Sequence, residues 1–235
     1  MLFFESRTTL AKSGILQGFT DWHCHLLPDV DDGVRTLDET LRILALYEDQ
    51  GVKNVWLTPH IMEDIPNTTA DLRVKFCNLQ TVYQGKMILH LAAENMLDNL
   101  FEERLAAGDL LPLGEDKNHL LVETSYFHPP MGLENTLSRV KKKGYFPVLA
   151  HPERYMYMDE NDYFRLKEMG VKFQMNLPSI FGMYGTNVKK KAEWLLKKGF
   201  YNFAGTDTHR LESLQIALAK KVKKSVSKFC QSFTI

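Results

Sequence analysis

The sequence reads FTDWHCH over residues 19–25, a short apolar run that ends in two histidines. We predict a strand over residues 19–24. Because side chains alternate between the two faces of a strand, His23 and His25 point to the same side, as two ligands of one metal ion require. The D-x-H-x-H pattern therefore predicts a metal site at the end of the first strand.

From residue 18 onward, the sequence repeats one alternation. A short apolar run is followed by a stretch with the spacing of a helix, which a glycine ends. This alternation is typical of βα units. The other predicted strands cover residues 54–58, 87–92, 120–123, 146–150, 172–176 and 201–204. The predicted helices cover residues 37–49, 70–83, 97–107, 133–143, 162–169, 188–198 and 212–229. Seven such units indicate an α/β barrel, with a doubly wound sheet as the alternative.

Helix ends are marked by local signals. Thr36 and Glu39 predict a capping box. A left-handed glycine is expected after five of the helices, at Gly51, Gly108, Gly144, Gly170 and Gly199. No Ser/Pro-rich linker interrupts the alternation, so we expect one domain over residues 18–235. Residues 1–17 show no clear period and are interpreted as an arm or a strand that leads into it.

Composition excludes several classes of protein. The 235 residues are 44% hydrophobic and 25% charged, which suits one well-buried domain. Lys plus Arg and Asp plus Glu both number 29, so no overall charge favours nucleic acid or an acidic membrane. We expect neither a signal peptide nor a transmembrane segment. Three widely spaced cysteines without a C-x-x-C pair predict a cytoplasmic protein; they are Cys24, Cys77 and Cys230.

Six of the seven predicted strands deliver a histidine or a carboxylate to the end where barrels and doubly wound sheets hold their active sites. These candidates are His23, His25, His60, Glu94, Glu123, His151, Asp207 and His209. Asp32 lies in the loop PDVDDG over residues 28–33, although D-D-G is also a common turn. Nitrogen and oxygen ligands without thiolate suit Zn, Mn or Fe, and their number exceeds the need of one ion. We expect two or three ions.

Clustered divalent ions indicate a phosphohydrolase, since they generate hydroxide at neutral pH and hold phosphoryl oxygens. Arg154, three residues after His151, suits bidentate binding of phosphate, the alternative being an ion pair near Glu153. The chain lacks a C-x5-R loop, a phosphate-binding G-x-x-x-x-G-K loop, a dinucleotide fingerprint and a G-x-S-x-G elbow. The basic stretch at residues 220–228 is interpreted as a solvated face of the last helix.

The ordered motifs resemble the PHP superfamily, named for polymerase and histidinol phosphatase. They are DWHCH at 21–25, VDDG at 30–33, TPH at 58–60, Glu94, HPER at 151–154 and TDTH at 206–209. VDDG with HPERY is similar to the CpsB/YwqE-type bacterial tyrosine phosphatases of exopolysaccharide systems. The match runs from about residue 18 to residue 209. It implies a distorted (β/α)7 TIM-like barrel, a manganese site with Fe or Zn as alternatives, and a bacterial tyrosine autokinase as substrate.

The resemblance also implies roles for single residues. The metal ligands would be His23, His25, Asp32, His60, Glu94, Glu123, His151, Asp207 and His209. Asp32 and Arg154 would act in catalysis, and Arg154 would bind phosphate with help from Arg210. Three positions depart from the family's pattern: Ile61 stands where it often has histidine, Ala92 where it often has glycine, and Arg210 follows His209 directly instead of lying several residues beyond.

The expected reaction is attack of a metal-bound hydroxide on phosphotyrosine, without a covalent enzyme intermediate. One alternative is a PHP phosphoesterase that acts on a small phosphate ester or a DNA end. Another is a regulatory binding module on the same fold. The complete ligand set argues against the module.

Overall fold

Parallel strand pairs, joined by helices, form most of the structure, a computed structural model that describes residues 7–223. The strands in this range are β1 (Arg7–Thr9), β2 (Thr20–Cys24), β3 (Asn54–Leu57), β4 (His60–Ile61), β5 (Ile88–Leu91), β6 (Glu94–Met96), β7 (His119–Glu123), β8 (Phe146–Ala150), β9 (Lys172–Asn176), β10 (Phe203–Gly205) and β11 (Lys221–Lys223). The helices are α1 (Leu37–Gln50), α2 (Thr69–Val82), α3 (Asn99–Ala107), α4 (Leu133–Lys142), α5 (Glu160–Glu168), α6 (Leu177–Ile180), α7 (Thr186–Lys197) and α8 (Leu211–Ala219). No helix within residues 7–223 has the length and apolar character needed to cross a membrane.

Two parallel sheets make up the centre of this mixed α/β domain. One has the strand order β10-β9-β8-β7-β6-β4, and the other has the order β2-β3-β5. Backbone hydrogen bonds connect the end of β2 to the loop after β10, from Asp207 N to His23 O (2.8 Å) and from His25 N to Thr208 O (2.9 Å). The strands thus form a curled, half-barrel arrangement whose carboxyl ends face one side.

The seven predicted strands are all present, but two predicted strand ends continue as separate short strands. β3 pairs with β2 and β5, whereas β4 pairs with β6, so the chain passes from one sheet to the other between Leu57 and His60. Pro59 lies at this crossing and has no N–H to offer a neighbouring strand. In the β4–β6 pair His60 lies opposite Glu94. The crossing therefore brings two predicted ligands side by side.

The C-terminal segment corrects one prediction. The helix expected over residues 212–229 ends at Ala219, and the KVK sequence of β11 pairs antiparallel with β1, with Thr8 opposite Val222. Val222 is buried while Lys221 is exposed, which is the alternation of a strand. The predicted basic helix face is therefore wrong for residues 221–223, and residues 224–229 and Cys230 lie outside the described residues.

The N-terminal residues contribute to the core. Leu10, Ile15 and Leu16, which belong to the segment interpreted as an arm, are buried in the main hydrophobic cluster together with side chains of the sheets and helices. β1 also pairs with the last described strand. Burial of these apolar side chains stabilises the domain. The segment that contains them is therefore part of the same folded body.

The predicted capping box is half formed. The Thr36 hydroxyl accepts a hydrogen bond from the N–H of Glu39 (3.3 Å), but the Glu39 carboxylate accepts the N–H of Leu211 (2.9 Å) and so joins the start of α1 to that of α8. The reciprocal bond within α1 was therefore wrongly predicted. The five predicted left-handed glycines are confirmed, with φ between 68° and 92°.

Asp21 joins three elements beneath the carboxyl end of β2. Its fully buried carboxylate accepts hydrogen bonds from the N–H of Thr206 (2.8 Å), the hydroxyl of Thr206 (2.7 Å), the hydroxyl of Tyr47 (2.9 Å) and the N–H of His23 (3.2 Å). Burial raises the pKa of Asp21 to about 6, against the opposing effect of these hydrogen bonds. Because all four of these groups are donors, the side chain at position 21 must present two acceptor oxygens.

We expect Asp21→Asn to lower the free energy of unfolding by about 1–3 kcal/mol, because its amide nitrogen would face buried donors and leave them unpaired. Chemical denaturation measures this change. The control is Asp49→Asn on the exposed face of α1, which should stay within about 0.5 kcal/mol of the parent. Equal stability of the two variants would contradict the assigned role of Asp21.

Candidate metal centre

The carboxyl ends of the parallel strands hold a cluster of imidazoles and carboxylates. All nine predicted ligands belong to it, in four overlapping groups whose potential ligand atoms lie within 4.8 Å of one another. The groups are His25, Asp32, His60 and His209; His23, His25 and Asp207; His23, Glu94 and His151; and His60, Glu94 and Glu123. Shared members join the groups into one continuous site.

Glu94 lies at the centre of the cluster and is almost fully buried. Its Oε2 atom lies 3.0 Å from His23 Nε2, 3.3 Å from His25 Nε2 and 3.3 Å from His60 Nδ1. Its Oε1 atom lies 3.0 Å from His151 Nε2. One carboxylate therefore faces four imidazoles, a position from which it could bridge two ions.

Neighbouring carboxylates extend the cluster on both sides of Glu94. Glu123 Oε1 lies 3.1 Å from His60 Nδ1, and Asp207 Oδ1 lies 3.4 Å from His25 Nε2. Both carboxylates are buried, whereas Asp32 has a side chain that is 61% exposed. Asp32 Oδ1 lies 3.4 Å from His209 Nε2 at the open side of the cluster. The site therefore has a closed interior and one accessible edge.

Hydrogen bonds behind the ligands fix the orientation of the first two imidazoles. The Gln174 amide nitrogen donates to Met175 O, so its oxygen faces His23 Nδ1 at 2.9 Å and requires that nitrogen to donate. His25 Nδ1 in turn donates to Asp31 Oδ2 at 2.7 Å. In neutral rings both Nε2 atoms then carry lone pairs, 3.1 Å apart.

Two facing lone pairs beside carboxylate oxygens repel each other unless positive charge lies among them. Protons supply that charge in a metal-free site: burial opposes protonation of His23, but Glu94 and Asp207 raise its pKa to about 9. Despite burial, His23 also holds the pKa values of both carboxyls below their usual range. The nitrogen and oxygen donors, the fixed tautomers and this electrostatic demand all fit divalent transition-metal ions.

Two ligand candidates lie on left-handed backbone. His151 has φ 34° and Asp207 has φ 53°. Such conformations cost non-glycine residues about 1–3 kcal/mol and occur preferentially at functional sites. Gly205 adds a close approach, since a Cβ atom there would lie 2.4 Å from the Cβ of His23. The backbone after β8 and at the end of β10 therefore adopts conformations that place these side chains in the cluster but lower the stability of the domain.

The two predicted phosphate-binding arginines differ in their surroundings. Arg154 lies in a 3₁₀ turn after β8, and its NH1 group donates to Asp207 Oδ2 at 2.8 Å. Glu153 points elsewhere and accepts from Asn176 N–H and the Tyr201 hydroxyl. The NH1 group of Arg210 donates to the carbonyls of Gly33 and His209. Arg154 thus contacts the cluster directly, whereas Arg210 joins two of its loops.

The residues that orient these candidate ligands were not predicted from the sequence. Asp31 lies in the loop that yielded Asp32, and Gln174 and Asn176 lie on β9, the one predicted strand without a terminal histidine or carboxylate. Asn176 Nδ2 donates to Asp207 Oδ2 at 2.7 Å. The spacing of two between Gln174 and Asn176 in a buried strand was an available signal, because both then face the same side.

Comparisons with known proteins agree with this architecture. A family model described as "Capsular polysaccharide synthesis, CpsB/CapC" matches residues 19–233. Tyrosine-protein phosphatase YwqE of Bacillus subtilis is 29% identical over 199 residues, which make up 82% of this chain and 78% of that protein. Tyrosine-protein phosphatase CpsB of Streptococcus agalactiae is 29% identical over 223 residues, covering 86% of this chain and 88% of that protein.

A solved structure has a similar fold. It is one of the crystal structures of YwqE from Bacillus subtilis and CpsB from Streptococcus pneumoniae, which are described as unique metal-dependent tyrosine phosphatases. The superposition has a TM-score of 0.77 at 26% sequence identity and covers 85% of each chain.

We expect Asp31→Asn to weaken metal binding by about 10- to 100-fold, because His25 loses the charged acceptor that fixes its tautomer. The carboxylate also accepts the N–H groups of Gly33 and His60, so an amide of equal size retains part of the loop geometry. Titration of chelator-treated protein with Mn²⁺ measures the change. Asp38→Asn on α1 is the exposed control, and an unchanged affinity for Asp31→Asn would refute the assigned role.

Proposed function

The chain belongs to the CpsB/CapC family of capsular polysaccharide synthesis, and on this basis we propose that it is a metal-dependent protein-tyrosine phosphatase. It is a phosphoric monoester hydrolase that acts on phosphotyrosine. The observation that carries the proposal is the largely buried cluster of nine candidate nitrogen and oxygen ligands with the Arg154 guanidinium beside it.

The nine clustered residues are the proposed ligands of two or three Mn²⁺ ions, with Fe or Zn as alternatives. When bound, the ions activate water at neutral pH and withdraw charge from phosphoryl oxygens. Asp31 and Gln174 hold the imidazoles of His25 and His23 so that each Nε2 atom faces Glu94 and Asp207 and would be free to bind an ion. Asp32, at the open edge, is the proposed ligand and catalytic carboxylate nearest to the incoming substrate.

Arg154 is the proposed phosphate-binding residue. Its planar guanidinium can hold two phosphoryl oxygens at once, and it stabilises charge on them as the ester bond breaks. The departing phenolate is a fair leaving group, since the pKa of tyrosine is about 10. Arg210 is proposed as a weaker second contact, because one of its NH groups already donates to two backbone carbonyls.

The two described cysteines do not supply a nucleophile. Cys24 is fully buried, its thiol donates to Trp56 O at 3.4 Å, and burial raises its pKa well above the usual range. Cys77 is exposed on α2 and belongs to none of the ligand groups. Activation of water in the cluster therefore remains the route that the geometry supports.

Three finer features are proposals as well. The substrate is inferred to be a bacterial tyrosine autokinase of capsule or exopolysaccharide synthesis, and the location to be the cytoplasm. The two parallel sheets are inferred to be parts of one distorted (β/α)7 barrel. The hydrogen bonds between β2 and the loop after β10, and the crossing from β3 to β4, support this closure.

The proposal predicts more than one transition-metal ion per chain, loss of phosphotyrosine hydrolysis with a chelator and recovery with Mn²⁺. Elemental analysis and a panel of phosphotyrosine peptides, phosphoserine peptides, small phosphate esters and DNA ends test it. His151→Ala should lower both metal content and rate. Alkylation of Cys77 should leave the rate intact. A preference for small esters or DNA ends would redirect the assignment, and one ion or none at full activity would refute the multinuclear site.

Arg154→Ala should lower kcat by roughly 10²- to 10³-fold while metal content stays the same, because a charge-stabilising donor is lost. Arg154→Lys keeps the charge but loses the planar fork, so its rate should lie between those of Arg154→Ala and the parent. Phosphotyrosine peptides and simple aryl phosphates should be affected alike. Arg210→Ala is the comparison, expected to have the smaller effect. A normal rate for Arg154→Ala would make that residue structural.

A further inference from the structure

The Arg154 guanidinium packs against two tyrosine rings as well as the cluster. Its Cζ atom lies 4.4 Å from the ring centroid of Tyr126 and 4.4 Å from that of Tyr184. At this distance a cation is attracted to the face of an aromatic ring. Arg154 therefore contacts two aromatic rings in addition to Asp207, its partner in the cluster.

The two rings reach Arg154 from different parts of the fold. Tyr126 follows β7 and lies 5.6 Å, between ring centroids, from the ligand candidate His151. Tyr184 lies between α6 and α7, and its hydroxyl accepts a long hydrogen bond from Asn176 Nδ2 (3.4 Å). The same Nδ2 donates to Asp207, the carboxylate that also binds Arg154. Segments after β7, β9 and β10 thus converge on one guanidinium.

This arrangement restricts what Arg154 can bind. Within residues 7–223 its side chain donates one hydrogen bond, from NH1 to Asp207, although a guanidinium has five N–H groups. The Cζ atom lies over both rings, whose faces offer it no oxygen or nitrogen acceptor. The remaining donors lie in its plane and are the part available to a phosphoryl oxygen. A free arginine side chain would lose considerable rotamer entropy in adopting this geometry at each encounter.

We propose that Tyr126 and Tyr184 are positioning residues that hold the guanidinium of Arg154 in the orientation that receives the phosphoryl group. The inference rests on the proposed phosphatase function and deepens it. The proposed action of both rings is through Arg154, and Tyr126 also packs near the candidate ligand His151. Their aromatic faces are what matters, since the contact is made by the ring and not by the hydroxyl.

A double-mutant cycle tests this inference. Tyr126→Leu and Tyr184→Leu should each lower kcat/KM for an aryl phosphate by roughly three- to thirtyfold, the size of a single cation–π contact. In the Arg154→Ala background the same substitutions should lower it less than about twofold, because the residue they orient is gone. Tyr126→Phe and Tyr184→Phe should recover most of the loss, since they restore the ring. Inhibition by inorganic phosphate should weaken in parallel, with unchanged metal content.

Phe127→Leu is the matched control, since it removes a ring from the same loop at a side chain that is 63% exposed. It should leave kcat/KM unchanged. An equal loss from the tyrosine substitutions with and without Arg154, or no loss in either background, would overturn the inference. If the parent hydrolyses no phosphate ester, the proposed function fails, and the cycle is completed by calorimetry of inorganic phosphate binding to the metal-loaded protein. Additive effects there would refute the positioning role by themselves.

Discussion

Buried negative charge is the constraint on which the rest of the structure depends. Glu94, Glu123 and Asp207 lie together out of contact with bulk water, where an uncompensated carboxylate costs several kcal/mol. Arg154 compensates part of this charge at Asp207, and imidazoles on neighbouring strands compensate the rest only when they carry protons or share cations with the carboxylates. Because parallel strands bring their carboxyl ends to one side, short strands such as β4 and β6 suffice to assemble a site from residues far apart in the chain.

Polar residues next to the cluster determine which of its atoms are available to bind a metal ion. Asp31 and Gln174 select which nitrogen of His25 and His23 is free, and Asp21 fixes the backbone beneath them. Since these contacts span the chain from β2 to β10, binding of metal and packing of the domain are thermodynamically linked. The left-handed backbone conformations of His151 and Asp207 lower the stability of the domain but place both side chains in the cluster.

Local pattern was enough to predict seven of the eleven described strands, most helices and the nine residues that cluster, because apolar periodicity and polar residues near strand ends are encoded within a few residues. Features that depend on distant partners were not accessible in this way. β11 forms by pairing with β1 at the other end of the chain, and Glu39 leaves its own helix cap to bind the N–H of Leu211. Gln174 was overlooked because its amide carries no charge, and the histidine that it orients lies on another strand, 151 residues away in the chain.

Asp207 connects the two halves of the proposed chemistry. Its Oδ1 atom faces His23 and His25, while its Oδ2 atom accepts from both Arg154 and Asn176. The residue that would coordinate metal therefore also contacts the guanidinium that we propose to bind phosphate. A displacement of the Asp207 carboxylate would alter the position of Arg154, because the carboxylate is rigid and accepts a hydrogen bond from the guanidinium. The distance between any ion bound at Oδ1 and the guanidinium at Oδ2 would thus be set by one planar group, as holding a phosphoryl group between them would require.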